Sequence, residues 1–192
     1  MSSAPTAYLT PEEYLEQERK AERKSEYFRG EVFAMAGASR RHVLTVVNLV
    51  HELGRKLGDR PCNVYSMDLR LAVGAAGLYT YPDVMVTCGE EKFADQHEDT
   101  LLNPALIVEV LSKSTKNYDR GQKFESYRAL PSLMEYLTVA LDRRHVEQWI
   151  RQPDKRWILR EYSGPAETIS MPSIGVDVQL ADIYRKIDFS TG

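Results

Sequence analysis

The stretch NPALIVEVLSKST, residues 103–115, constrains the fold most, because one acidic residue, Glu109, interrupts a run of Ala, Leu, Ile and Val. The run opens after Asn-Pro and closes at Ser-Lys-Ser-Thr, which is typical of a strand buried on both faces of a sheet. A buried carboxylate needs a cation, hydrogen-bond donors or a metal ion, since an isolated charge in the interior is costly. Glu109 is therefore a candidate site residue, and a buried ion pair with an arginine or lysine is the alternative.

Helix signals stand before and after this strand. Thr10 before Pro11 predicts a helix to about Lys24, because a hydroxyl cap and an early proline favour a helix start. A second helix is predicted from Ser39, with an apolar stripe of Val43, Val46, Val47, Val50, Leu53 and Leu57. Short helices are also predicted after the Glu109 strand, ending at Pro131, and over residues 180–184.

Strand patterns fill most of the remaining chain. SEYFRGEVFAMAG alternates around Arg29-Gly30 and predicts a hairpin. Further strands are predicted over residues 62–73, 78–87, 134–141, 145–151 and 156–162. This order of elements indicates an α+β or mixed α/β fold, and 192 residues with 43% hydrophobic content fit a single domain over residues 1–192.

Composition excludes several functional classes. The net charge of −3 gives no general attraction to polyanions, so a nucleic-acid site would have to be a local patch. The four histidines and two cysteines lack zinc-ligand spacing. The chain shows no leader pattern and no apolar run of membrane-spanning length, which predicts a cytoplasmic, reducing location. Cys62 and Cys88 are then expected as free thiols, with a disulfide as the less favoured alternative.

Three polar residues on neighbouring elements could form one site. Asp83 lies in the strand segment YPDVMV, Glu109 lies in the next predicted long strand, and Lys123 lies in the helix that follows. If the two strands pair, the carboxylates converge, and paired carboxylates are ligands that Mg²⁺ or Mn²⁺ prefers. The alternatives are an Asp83 that caps backbone amides at a strand start, and an exposed Lys123 paired with Asp119.

His42 follows two arginines at the start of the second helix. Arg40, Arg41 and His42 could bind a phosphate there, because the helix dipole and the side chains all favour an anion. A polar first turn without a ligand is the favoured interpretation of these three residues.

The quoted segments resemble a known family. PDV, PALIVEVLSKST, DRGQK and MEYLTVALDRR, together with the upstream SEYFRGEVFAMAGASRRH, are similar in order and spacing to the Uma-type restriction-endonuclease family. This family belongs to the PD-(D/E)XK nuclease superfamily, and the likeness covers most of the chain. The resemblance implies a restriction-endonuclease-like core, in which a central mixed β-sheet is flanked by helices.

The resemblance also implies roles for individual residues. Asp83 and Glu109 correspond to metal ligands, with the backbone carbonyl of Val110 as a third ligand. The usual Glu-X-Lys pattern would place a lysine at position 111, where this chain has Leu111. The resemblance therefore implies that Lys123 takes the lysine role from the next helix. Glu26, in the N-terminal SEYFRGE, resembles the additional acid that helices contribute to such sites.

These observations predict a metal-dependent endonuclease that hydrolyses DNA phosphodiester bonds with Mg²⁺ or Mn²⁺. A homodimer is expected from family analogy, because cutting both strands usually requires two active sites. The alternative is a non-catalytic nucleic-acid-binding or protein-binding module on the same fold, which Leu111 and the absence of a basic profile would favour.

Overall fold

A computed structural model of the chain describes residues 8–112 and 116–189. The strands, in chain order, are β1 (Ser25–Phe28), β2 (Glu31–Ala34), β3 (Cys62–Ser66), β4 (Arg70–Val73), β5 (Leu78–Thr80), β6 (Val84–Cys88), β7 (Thr100–Leu101), β8 (Leu106–Leu111), β9 (Glu135–Ala140), β10 (Val146–Arg151), β11 (Trp157–Tyr162), β12 (Thr168–Met171) and β13 (Val176–Gln179). The helices are α1 (Pro11–Glu18), α2 (Arg40–Leu57), α3 (Lys116–Tyr118), α4 (Phe124–Tyr127) and α5 (Leu180–Ile183). A π-helical turn, Asp119–Lys123, joins α3 to α4.

A six-stranded sheet with the order β11-β10-β9-β8-β6-β3 holds the Glu109 strand near its centre. β8 runs parallel to β9 and antiparallel to β6, so the sheet is mixed. All six residues of β8 are buried, which confirms the prediction of a strand covered on both faces. A second mixed sheet has the order β2-β1-β5-β4-β7, and β12 and β13 form a separate ribbon.

The two faces of the six-stranded sheet belong to different cores. On one face, α2 packs against valines and leucines of the sheet, including Val84, Val108 and Val110. On the other face, Ile107 and its strand neighbours pack against aromatic side chains of α4 and the five-stranded sheet. Because side chains alternate along a strand, Glu109 points to the same face as Ile107, toward α4. This alternation determines which helix can supply a partner for Glu109.

The helix starts follow their capping residues. Thr10 and Glu13 form a reciprocal capping box at the start of α1. The Ser39 side chain caps α2, because its hydroxyl oxygen accepts a hydrogen bond from the backbone N–H of His42. Both predicted starts are confirmed, although α1 ends at Glu18 instead of Lys24. The predicted stripe of α2 needs correction, because Val43 and Val47 are 40% and 55% exposed. The buried face of α2 is formed by Thr45, Val46, Leu49, Glu52, Leu53 and Leu57.

The segment from residue 62 to residue 88 forms four strands instead of the two predicted. A turn at Met67, which has a φ of 29°, ends β3 before β4 begins in the other sheet. Pro82 lies between β5 and β6, and a proline cannot donate a hydrogen bond to a strand ladder. Asp83 therefore stands directly before β6 and not inside a continuous strand.

The prediction of two free cysteines is wrong. Cys62 and Cys88 lie directly opposite each other on β3 and β6, with their Cα atoms 4.0 Å apart, and form a disulfide. The physical reason is the strand register, which brings together two positions that are 26 residues apart in sequence. Sequence spacing alone carries no sign of this pairing.

The C-terminal segment adds an element that the sequence patterns did not predict. β12 and β13 form a ribbon whose Ile169, Met171, Val176 and Val178 join the core beneath α2. α5 follows directly and agrees with the helix predicted near residues 180–184. Across residues 8–112 and 116–189, no helix is both long enough and apolar enough to cross a membrane.

Candidate active site

The ammonium group of Lys123 is the centre of a buried charge cluster. Its Nζ lies 2.9 Å from Oε1 of Glu109, 3.1 Å from Oε1 of Glu26 and 3.7 Å from Oδ1 of Asp119. Lys123 is only 5% exposed. The structure thus brings together three of the predicted site residues, and it contradicts the alternative of a solvent-facing Lys123.

The π-helical turn explains how Lys123 reaches the strand. A π-turn is one residue wider than an α-turn, and such insertions into α-helices are frequent at functional sites. Both Asp119 and Lys123, at the two ends of this turn, are buried. The backbone carbonyl of Asp119 also accepts a hydrogen bond from the Tyr136 hydroxyl at 2.9 Å, which anchors the turn to β9.

Glu109 is compensated by protein groups. Its Oε1 accepts a hydrogen bond from the Tyr127 hydroxyl at 2.7 Å, in addition to the Lys123 contact. Burial raises the pKa of Glu109 above its usual range, and the charge of Lys123 opposes that rise. The nearby carboxylates of Asp119 and Asp83 raise the pKa of Glu109 further. The buried ion pair considered from the sequence is therefore present, and the surroundings remain rich in negative charge.

Asp83 reaches the site through the pairing of β6 with β8. Val84 lies opposite Val108, so the same antiparallel register places Asp83 opposite Glu109. Oδ2 of Asp83 accepts a hydrogen bond from the backbone N–H of Val110 at 2.7 Å. The condition set out from the sequence is therefore met, because the two strands pair, and the amide that Asp83 binds belongs to the neighbouring strand.

His42 joins the candidate site through a contact with Asp83 that the sequence interpretation did not include. Its Nε2 lies 3.1 Å from Oδ2 of Asp83, and its side chain is largely buried. Burial opposes a charge on His42, but the hydrogen bond and charge of Asp83, aided by Asp119 and the backbone of Val110, raise the pKa of His42. The available sequence signal was its place in the family-like segment ASRRH, three residues after the Ser39 cap.

Glu26 joins the cluster from β1. It accepts a hydrogen bond from the Thr80 hydroxyl of β5, and the Tyr118 hydroxyl lies within hydrogen-bonding reach of it. Asp119 and Tyr127 complete the surroundings of Lys123, although the sequence interpretation gave Asp119 only an exposed ion pair with Lys123. Five elements therefore contribute to the site: β1, α2, the segment before β6, β8 and the helix after β8.

The charges of this cluster fit a hard divalent cation. Four carboxylates, those of Glu26, Asp83, Glu109 and Asp119, surround one lysine and one histidine. Oxygen donors with excess negative charge are the ligands that Mg²⁺ and Mn²⁺ prefer.

A second group has a more compact set of potential ligand atoms. Within residues 8–112 and 116–189, three side-chain ligand atoms within 4.8 Å of one another are found only at His145, Glu147 and Glu161. His145 Nδ1 lies 3.0 Å from Ser163 Oγ, which leaves Nε2 facing the two glutamates. A test of metal binding therefore has to separate these two groups.

Comparisons with known proteins agree with this architecture. A crystal structure of "a putative nuclease belonging to DUF820" from Anabaena variabilis superposes with a TM-score of 0.71, at 15% identity, over 92% of this chain and 97% of that one. The fold is accordingly that of a restriction-endonuclease-like protein, with mixed sheets flanked by helices.

The sequence comparisons identify the family. The Uma2 family, described as "Putative restriction endonuclease", matches residues 11–182, and the chain belongs to this family. Two Synechocystis proteins are similar: "Uncharacterized protein sll1609" is 41% identical over 85% of this chain and 93% of its own length, and "Uncharacterized protein slr1290" is 35% identical over 97% of both. The resemblance noted from the sequence motifs is confirmed.

Proposed function

We propose that the protein is a metal-dependent endonuclease that hydrolyses DNA phosphodiester bonds. The observation that carries the proposal is the position of Lys123 Nζ, 2.9 Å from Glu109, in a cluster where Asp83 faces Glu109 across paired strands. Membership of the Uma2 family and the nuclease-like fold support it.

In this proposal Asp83, Glu109 and the backbone carbonyl of Val110 hold Mg²⁺ or Mn²⁺. The ion supplies Lewis-acid stabilisation of the charge that develops on the phosphoryl group. His42 and the Val110 N–H fix the orientation of the Asp83 carboxylate, and the Tyr127 hydroxyl fixes that of Glu109. Both carboxylates are thus preorganised by contacts from separate elements.

Lys123 acts as a positive charge and hydrogen-bond donor in this site, and not as a base. Burial alone would lower the pKa of Lys123, but the charges of Glu109, Glu26 and Asp119 raise it well above its usual range. A permanently protonated ammonium can orient the attacking water and offset negative charge in the transition state. Glu26 and Asp119 are then positioning residues for Lys123.

Nicking of supercoiled plasmid DNA in Mg²⁺ or Mn²⁺ tests the proposal. Asp83→Asn and Glu109→Gln should each lower the nicking rate at least about 100-fold, because each change removes a ligand charge. Asp154→Asn, in the exposed turn between β10 and β11, is the control and should retain the wild-type rate. Wild-type rates in both site variants, with folding verified by thermal melting, would contradict the assignment.

A non-catalytic binding module is the second candidate, favoured by the fact that Lys123 and Tyr127 already compensate Glu109. Calorimetric titration with Mn²⁺ separates the two functions. A nuclease site should lose heat of binding in Asp83→Asn and keep it in Glu161→Gln, whereas binding lost only in Glu161→Gln would place the ion at the second group. No binding at millimolar Mn²⁺ would favour the module.

Three features remain predictions of this proposal. A single domain over residues 1–192, a homodimer and a cytoplasmic location follow from length, family analogy and sequence pattern. Sedimentation of the purified protein would measure the oligomeric state directly.

A further inference from the structure

A cavity of about 490 Å³ opens beside the candidate active site. Leu111 and Ala140, which lie opposite each other at the ends of the parallel strands β8 and β9, line it together with the start of α2. Leu111 is two residues beyond Glu109 on the same face of β8, a step of about 7 Å along a strand. The cavity is therefore next to the atoms that hold the proposed metal.

Positive charge dominates the cavity wall. Among the described residues that line it, the cationic side chains are Arg41, Lys116, Arg120 and Arg143, and the carboxylate is Asp142. Arg120 also pairs with Glu147 at 2.8 Å, whereas Arg143 and Asp142 are 4.0 Å apart and both largely exposed. In a chain of net charge −3, this concentration of cations is a local feature that suits a phosphate group.

The cavity also has an apolar wall. Leu111, Ala140, Leu141 and Phe189 contribute apolar surface to it. The Phe189 ring is held edge-on by Tyr184, with ring centroids 5.4 Å apart, and the Arg144 guanidinium lies 5.2 Å from its centroid. A surface that binds only backbone phosphates needs no apolar wall. Cations combined with an aromatic and aliphatic wall in a concave space match a nucleotide, with a phosphate at one end and a base at the other.

We propose that this cavity accepts one unstacked nucleotide of the substrate strand, next to the phosphate that is cut. Arg143 and Lys116 contact its phosphate, and its base packs against Phe189 and the aliphatic wall. A base inside a duplex is stacked and paired, so it must leave the helix to enter a concave space, whereas an unpaired base has already lost those contacts. The substrate class is therefore DNA with an unpaired nucleotide at the cleavage position. This inference rests on the proposed function for the identity of the ligand.

Fluorescence anisotropy in EDTA tests the cavity without cleavage. The probes are a labelled single strand of about 12 nucleotides, the matching duplex, and the duplex with one unpaired nucleotide. The single strand and the bulged duplex should bind at least about 10-fold more tightly than the perfect duplex. Equal affinity for all three probes, or no binding of any of them, would overturn the inference.

Single substitutions distinguish the contacts to the base from the contacts to the phosphate. Phe189→Ala should weaken single-strand binding roughly five-fold or more while leaving duplex binding unchanged. Lys116→Gln and Arg143→Gln should each weaken binding and reduce the salt dependence by about one phosphate contact. Arg156→Gln, which changes an exposed arginine in the turn between β10 and β11, is the matched control. A loss in Arg143→Gln no larger than that in Arg156→Gln would contradict the phosphate assignment.

Failure of this inference is distinguishable from failure of the nuclease proposal. Preferential binding of unpaired DNA without any nicking activity would leave the cavity assignment standing and remove the catalytic one. Nicking at equal rates on single-stranded, bulged and duplex substrates would remove the cavity assignment and leave the catalytic one standing.

Discussion

Two groups of charged side chains lie at the two ends of one row of opposed residues across the six-stranded sheet, and they differ in their access to water. Glu109, Thr138, Glu147 and Glu161 occupy directly opposed positions on β8, β9, β10 and β11. The Lys123 group comprises Lys123, Glu26, Glu109 and Asp119, whose side chains are at most 13% exposed. The His145 group comprises His145, Glu147 and Glu161, and the Glu161 side chain is 58% exposed.

This difference shows how burial decides the partners that a carboxylate requires. In the Lys123 group, Glu109 has both a lysine at 2.9 Å and a tyrosine hydroxyl at 2.7 Å. In the His145 group, the imidazole lies 3.3 Å from Glu161 and 3.6 Å from Glu147, and water can screen the exposed charge. We therefore expect neighbouring positions on one sheet to contribute very differently to stability.

The π-helical turn supplies one cation to each group, because Lys123 contacts Glu109 and Arg120 contacts Glu147. Removing these two cations should give the largest contrast. Lys123→Met should lower the free energy of unfolding by about 3–5 kcal/mol, since it leaves a buried carboxylate without its partner. Arg120→Met should lower it by at most about 1 kcal/mol, because that pair is partly exposed. Urea denaturation of the two variants and the wild type measures the difference.

The pH dependence of that contrast has a definite sign. The pKa of Glu109 is raised in the folded protein, so the folded state binds this proton more tightly than the unfolded chain. Without Lys123 the destabilisation should therefore be smallest near pH 5 and should grow as the pH rises to 8. Equal losses in Lys123→Met and Arg120→Met at pH 8 would remove the distinction between the two groups.

Removing one hydroxyl that donates a hydrogen bond to a carboxylate of each group should give a smaller contrast. Tyr127→Phe should cost about 1.5–3 kcal/mol, because the lost hydrogen bond is to a buried charged group. Thr138→Val should cost about 0.5–1 kcal/mol, because Glu147 keeps its contact with Arg120 after the Thr138 hydrogen bond is lost. Thermal and urea unfolding of both variants would measure the costs, and the reverse order would disprove the argument from burial.

A surface ion pair should give the smallest effect. Hydrogen bonds from the Arg19 side chain lower the pKa of Asp99 to about 2, against the opposing effect of burial. Because this pKa is depressed on folding, the stabilisation is present above about pH 4 and is lost as the pH falls through about 2. Arg19→Gln should cost about 1 kcal/mol or less at pH 7. The difference in free energy of unfolding between Arg19→Gln and the wild type should shrink at pH 3. A difference that grows between pH 7 and pH 3 would contradict the expected pH dependence.

Local signals made much of the fold predictable from the sequence. Thr10 and Ser39 marked helix starts because capping depends on neighbouring residues, and Arg29-Gly30 marked a hairpin for the same reason. The assignment of strands to different sheets was not predictable, because breaks at Met67 and Pro82 redirect the chain through contacts distant in sequence. The Cys62–Cys88 disulfide was missed for the same reason.

The candidate site was predictable where burial and charge conflicted locally. Glu109 stood out because six buried residues in a row leave a carboxylate no access to water. The order of strands and helix then led to Asp83 and Lys123, and the family resemblance added Glu26. The structure places Glu26 against Lys123, and Asp83 opposite Glu109. The contact between His42 and Asp83 was missed because it depends on how α2 crosses the end of β6, which no local pattern encodes.

The π-helical turn makes the position of Lys123 depend on chain length as well as on residue type. Asp119–Lys123 contains one residue more than an α-turn requires. At this chain length, a return of the five residues to α-helical pitch would rotate the residues after the turn by about 100° relative to those before it. Either Lys123 or the Phe124 and Tyr127 rings would then lose their place, so this segment should accept substitutions at its exposed positions only where they keep the wider turn.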